Sequence, residues 1–250
     1  MRLGGADRLS VRTAQRKEPI MLISGLQKTT LLDFPGRVAA TVFLGGCNFR
    51  CPFCHNSELI AGGDPLFSPE EILSFLNKRS GILQGVCITG GEPTLQGDLE
   101  PFLEDIRRIG LAVKLDTNGS CPGVLRRLCE RGLVDYIAMD IKSGPTGYAA
   151  AAGLDSLSLT PIRESISWLV NGSLPFEFRT TAVRGLHTEQ DFREIGPLIA
   201  GCRDYYIQNY QDSPQVLTRG FSSFCKEELL HFLKLVAPYT ARANLRGVDS

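Results

Sequence analysis

"RVAATVFLGGCNFRCPFCHN", residues 37–56, decides the reading of this chain. Its first part is apolar and β-branched, ends in two glycines and predicts a buried strand. Its second part places Cys47, Cys51 and Cys54 within eight residues, so the strand runs directly into a thiol-rich loop.

Outward from that stretch, strand-like and helix-like segments alternate. Strands are predicted over 85–91, 111–119, 134–142, 175–183 and 204–211. Helices are predicted over 68–78, 95–110, 122–132, 160–172, 188–201 and 225–237. Ser68 followed by Pro69, and Thr160 followed by Pro161, are helix starts, each a capping hydroxyl before a proline in the first turn. Gly110 and Gly172 are stops, and Pro197 bends or ends its helix. "YTARANLRG" at 239–247 is read as an added edge strand. Six β–α units in a row give an α/β fold, either an open doubly wound sheet or an incomplete barrel. No G-x-G-x-x-G turn follows the first strand, which disfavours the dinucleotide-binding version of the sheet.

Both architectures collect ligands at the C-terminal ends of the strands. The polar clusters fall there. Cys47–Cys54 follow the first strand and Gly90-Gly91-Glu92-Pro93 the second. Asp116-Thr117-Asn118-Gly119 follow the third, and Asp140 and Lys142 end the fourth.

Composition limits the function classes. Hydrophobic residues make up 43% and charged residues 22% of 250 residues, and 27 basic side chains balance 27 acidic ones. That is ordinary for a soluble globular protein and gives no general affinity for nucleic acid or anionic membrane. No stretch has the length of a membrane span, and the Arg-rich start lacks the apolar segment of a secretory signal. Residues 1–20 are expected to be an upstream start or a disordered extension, with residues 21–250 forming one domain. Eight cysteines without an export signal are expected to be free or metal-bound in a reducing cytoplasm.

Three closely spaced thiols suit two kinds of metal site. A structural zinc would need a fourth ligand, and His55, directly after Cys54, is awkwardly placed to share an ion with it. His187 and His231 lie far away in sequence. An iron–sulfur cubane held by three cysteines would leave one iron open to a reacting molecule.

The spacing C-x3-C-x2-C after the first strand resembles the signature of the radical S-adenosylmethionine (SAM) enzymes. The resemblance runs over nearly all of residues 21–247 and implies an incomplete (β/α)6 TIM-like barrel. It implies that Cys47, Cys51 and Cys54 hold a 4Fe–4S cluster, whose fourth iron takes the amino and carboxylate groups of SAM. Reductive cleavage of the sulfonium then gives a 5′-deoxyadenosyl radical. Phe53 would lie by the adenine. Gly90, Gly91 and Glu92 match the motif that binds the methionine amino group, where glycines permit close approach and a carboxylate suits an ammonium.

Asp116-Thr117-Asn118-Gly119 and Asp140-Ile141-Lys142 resemble a narrower group, the glycyl-radical-enzyme activases. There the lysine contacts the SAM carboxylate, which gives Lys142 that role. Asp116, Thr117 and Asp140 would form a monovalent-cation site beside it. Arg179 and Gln208 align with further SAM-pocket positions. Gln211 stands where some activases carry a histidine.

No second cysteine cluster appears, which removes activases with a ferredoxin-like insert and peptide-modifying enzymes with auxiliary clusters. "GLQKTTLLDFPGRVAA" ahead of "CNFRCPFCHN" looks most like activating proteins of anaerobic ribonucleoside-triphosphate reductase, with pyruvate formate-lyase activases close by. The implied partners are a glycyl radical enzyme and a flavodoxin or ferredoxin electron donor. His55 and Asn56 belong to the resemblance without a physical role. The rivals are a small-molecule enzyme such as a deazapurine synthase, whose loop differs where this chain has His55-Asn56, a zinc-binding interaction protein, and a barrel that has lost its chemistry.

Overall fold

A computed structural model describes residues 21–248; the expected extension at 1–20 lies outside the described residues. Among the described residues eight strands form one sheet in sequence order. β1 (Ile23–Thr30) runs antiparallel to β2 (Ala39–Leu44). From β2 onward every pairing is parallel: β3 (Gly85–Gly90), β4 (Ala112–Thr117), β5 (Tyr136–Asp140), β6 (Phe176–Ala182), β7 (Cys202–Asn209) and β8 (Thr240–Arg246).

Helices connect the parallel strands: α1 (Pro69–Arg79), α2 (Leu99–Ile109), α3 (Pro122–Glu130), α4 (Tyr148–Ala151) with α5 (Thr160–Asn171), α6 (Glu189–Leu198) and α7 (Lys226–Val236). β2 to β7 are therefore six β–α units, the expected partial barrel. β1 and β8 are its two edges.

Local chemistry explains most boundaries. The Ser68 hydroxyl accepts from the Glu71 amide at 3.2 Å while the Glu71 carboxylate accepts from the Ser68 amide at 2.8 Å, a reciprocal cap that starts α1. α2 starts at Leu99 rather than 95, because Pro93–Leu95 form a separate 3-10 turn. Leu159, not Thr160, stands at the N-cap of α5. Pro197 is accommodated within the last turn of α6.

The pleat sorts residues to two faces. On β6, Phe176, Phe178 and Thr180 pack outward under the helices, while Arg179 and Thr181 face the barrel mouth. The apolar core lies between sheet and helices, and the interior is polar. Register then aligns functional groups: Leu44 pairs with Gly90, Asp140 with Arg179, and Thr181 with Gln208.

Candidate active site

The C-terminal ends of β2–β7 surround a cleft of about 290 Å³. Cys47, Cys51, Cys54, Phe53, Gly90, Gly91, Asp116, Thr117, Asp140, Lys142, Arg179 and Gln208 all line it. Residues brought from six strands, and up to 161 positions apart, thus share one wall-to-wall space, as the sequence predicts. Glu92 is the exception.

The cysteine loop is anchored at both ends. The Gly46 amide donates to the Leu59 carbonyl at 2.7 Å and the Cys47 amide to Ile60 at 3.1 Å. Farther round, the Arg50 amide reaches the Ala152 carbonyl at 2.8 Å, and the Thr218 amide reaches that of Pro52 at 2.8 Å. The Gly90-Gly91 pair explains how β3 can cross so close to the loop. The Gly91 amide donates to Leu44 at 2.7 Å and the Glu92 amide to Gly46 at 2.8 Å. A Cβ on Gly91 would sit 2.1 Å from the Gly46 oxygen, and Gly90 adopts φ +114. The close approach that demands glycine here is backbone against backbone.

Glu92 requires a correction. Its side chain is 0% exposed and lies behind the cleft wall formed by Thr117 and Asn118. Oε1 accepts from the Thr94 amide at 3.1 Å, the Thr94 hydroxyl and the Thr117 hydroxyl at 2.8 Å. Oε2 accepts from the Asn118 amide at 2.6 Å. Burial pushes this carboxyl upward, against the four donors that stabilise its charge. A carboxylate so enclosed does not reach an ammonium in the cleft; it holds the β4 turn to the β3 turn. The cleft meets the backbone of Gly90 and Gly91 instead.

Asn118 and Asn48 extend that tie. The Asn118 amide nitrogen donates to Asn48 Oδ1 at 2.9 Å, and Asn48 donates to the Ser120 hydroxyl at 2.9 Å, which fastens the cysteine loop to β4. Neither asparagine stands out in the sequence as a site residue, because the partners lie 70 and 72 positions away. Thr89 and Thr181, which also line the cleft, escape sequence reading for the same reason.

Charge is dense on the opposite wall. Lys142 pairs with Asp140 at 3.0 Å. Arg179 donates through Nε to Asp140 at 3.0 Å and through Nη1 to Asp116 at 3.4 Å. Lys114, at 2% exposure, pairs with the other oxygen of Asp116. Burial disfavours the charged forms of both aspartates, but Lys142 and Arg179 beside Asp140, and Arg179 and Lys114 beside Asp116, outweigh it and hold both carboxyls below their usual range. Burial likewise opposes the Lys142 ammonium, and Asp140 more than offsets it. Thr117 spends its hydroxyl on Glu92. Side-chain cations thus pair with both aspartates, and Thr117 lines the cleft while its hydroxyl donates to Glu92.

His187 is a further residue of the site. Its Nδ1 accepts from the Val183 amide at 3.1 Å, so Nε2 carries the proton and donates to the Lys142 carbonyl at 2.8 Å. Its ring meets Phe53 edge-on at 6.1 Å. His55 packs on Tyr210 at 5.8 Å and faces the Ser213 hydroxyl at 3.4 Å, so it joins the cysteine loop to the loop after β7.

No disulfide joins any of the eight cysteines. Among the described residues no three Cys, His, Asp or Glu side chains are gathered closely enough to share one ion. A single zinc needs its donors around one point, whereas a cubane spreads its thiolates over separate irons. Cys47, Cys51 and Cys54 line one cleft and are the donors a cubane would take.

Comparison with known proteins bears on the same residues. A Methanocaldococcus jannaschii protein provisionally named a glycyl-radical enzyme activating enzyme is 31% identical over 194 residues, 76% of this chain and 80% of its own length. The pyruvate formate-lyase-activating enzyme of Clostridium pasteurianum is 33% identical over 52% of this chain and 57% of its own. A 7-carboxy-7-deazaguanine synthase of Hyperthermus butylicus is 40% identical over 37% of this chain and 40% of its own. The solved structure of TYW1 with a lysine-pyruvate adduct superposes with a TM-score of 0.61 at 16% identity, covering 81% of this chain and 74% of that one, a likeness of fold. The family model of the radical SAM superfamily matches residues 41–195, the span that carries the cysteine loop and the β3, β4 and β5 turns. With three thiols at one barrel mouth and that match across more than half its length, this chain belongs to the radical SAM superfamily.

Proposed function

We propose that this chain installs a glycyl radical on a partner enzyme, with anaerobic ribonucleoside-triphosphate reductase as the first partner to test. One observation carries the reading: the similarity to the provisionally named activating enzyme spans 76% of this chain and 80% of that relative. The radical SAM family implies a 4Fe–4S cluster and SAM as cofactors, which together supply reductive cleavage of a sulfonium and hydrogen abstraction when bound.

The chain's own residues bind and orient. Cys47, Cys51 and Cys54 would hold the cluster. Lys142, positioned by Asp140 at 3.0 Å and by His187 on its carbonyl, would face the SAM carboxylate as a fixed positive charge. Phe53 would cover the adenine, and Gly90 and Gly91 would offer backbone to the amino group. Gln208 completes the polar wall. The sheet is open between β1 and β8, which suits entry of a protein loop carrying the target glycine. A reduced flavodoxin or ferredoxin in a reducing cytoplasm would supply the electron. No helix among the described residues is long and apolar enough to cross a membrane.

The test is electron paramagnetic resonance of anaerobic mixtures of reduced, cluster-loaded protein, SAM and the candidate partner. A glycyl radical on the reductase supports the reading, and one on pyruvate formate-lyase alone moves the activity to that branch. A second reading, a deazaguanine synthase, draws on the 40% identity over 96 residues. Formation of a deazaguanine product, with no radical on either partner, would establish it instead.

A further inference from the structure

Asp116 and Asp140 are met by three permanent side-chain cations. Lys114 comes from the middle of β4, is 2% exposed, and has Asp116 as its carboxylate partner. Its other polar neighbour is the Cys87 thiol at 3.7 Å. Arg179 bridges the two aspartates, at 3.0 Å to Asp140 and 3.4 Å to Asp116. Lys142 takes the second oxygen of Asp140 at 3.0 Å. The Thr89 hydroxyl donates to Asp116 at 3.2 Å, using a further lone pair. Three positive charges against two negative ones leave the wall with a surplus positive charge before any ligand arrives.

An added Na⁺ or K⁺ here would meet repulsion from all three, and carboxylate oxygens already committed to N–H and O–H donors. A cation bound between carboxylates neutralises them and fixes their position. Lys114 and Arg179 do both, with charges tethered to β4 and β6, the two neighbours of β5 in the sheet.

We propose that Lys114, together with Arg179, stands in place of a monovalent cation, so that SAM binding by this chain requires neither Na⁺ nor K⁺. Lys114 acts here as a positioning residue: it holds Asp116, Asp116 helps to hold Arg179, and Arg179 holds Asp140 beside Lys142. The inference rests on the reading of the cleft as the SAM site.

Isothermal titration of SAM into cluster-loaded protein under anaerobic conditions separates the two. Binding in KCl tests the cleft, and the ratio of affinities between KCl and choline chloride at equal ionic strength tests the inference. The expected ratio lies within about threefold. A larger loss in choline, restored by adding K⁺ or Na⁺, overturns the proposal. In Lys114→Met the tethered charge is gone, and binding is expected to weaken about tenfold in choline relative to KCl. Equal binding by Lys114→Met and wild type in choline would also overturn it. Lys114→Arg keeps the charge and guards against a folding defect: it is expected to bind independently of the salt cation, and cation dependence in that variant contradicts the assignment.

Discussion

Replacing Glu92 by glutamine separates two roles for that carboxylate. If it faced the ligand, the change would weaken binding and leave the fold alone. In the structure it is enclosed by the Thr94 amide, the Thr94 and Thr117 hydroxyls and the Asn118 amide. A glutamine keeps one oxygen for the Thr94 and Thr117 donors but turns an NH2 group toward the Asn118 N–H, 2.6 Å from the original oxygen. That removes a charge-assisted bond worth about 1.5–3 kcal/mol and leaves a buried donor unsatisfied at about 1–3 kcal/mol. These overlap, so the expected loss is about 2–4 kcal/mol. For a chain of this size each kcal/mol lowers Tm by about 2–4 °C, giving a fall of roughly 5–15 °C. The assay is thermal unfolding of cluster-free protein at about pH 8, well above the ordinary carboxylate range from which burial raises this group. A Tm within about 2 °C of wild type, with SAM affinity lost in the loaded protein, would refute the enclosed carboxylate.

Three further outcomes follow from the same geometry. In Gly91→Ala the new Cβ lies 2.1 Å from the Gly46 oxygen where real contacts stay above 3.0 Å, so the root of the cysteine loop must shift by 0.9 Å; iron and sulfide content after anaerobic reconstitution should fall while circular dichroism keeps its helical signal, and full loading would contradict this. Asp116 has a folded pKa below its ordinary 3.8, because Arg179 and Lys114 outweigh the burial that opposes its charge. Its stabilisation is therefore complete above about pH 4 and lost as pH falls through the folded value, so the Tm gap between wild type and Asp116→Asn should narrow below about pH 4, and a gap constant from about pH 7 to pH 3 would contradict the linkage. His187→Leu removes the bonds to the Val183 amide and the Lys142 carbonyl and should cost about 2 kcal/mol in urea unfolding, with unchanged stability as the contrary result.

What the chain discloses before folding depends on the range of the interaction. Helix starts were legible where the signal is local, as at Ser68 followed by Pro69. The β1 strand was not, because "ISGLQKTT" carries a glycine and polar residues and shows no clean alternation; pairing with β2 makes it a strand. The three cysteines were legible from spacing alone. The direction of Glu92 was not, since its orientation is set by Thr117 and Asn118, 25 and 26 positions later. Asp116 and Asp140 stood out as polar residues at strand ends, whereas Lys114, which pairs with Asp116, did not. Nothing in a single strand says that a lysine two positions before an aspartate will be buried against it. His187 was passed over because its partners are backbone groups and a ring, which form no ligand motif.

Metal and sulfide analysis of anaerobically reconstituted protein, joined to its visible and paramagnetic spectra with and without SAM, tests the central claim most directly. The account predicts about four irons and four sulfides per chain, a reduced-cluster signal that changes shape when SAM is added, and loss of both on changing Cys47, Cys51 or Cys54 to alanine. One zinc per chain without sulfide, or a cluster signal indifferent to SAM, would contradict it.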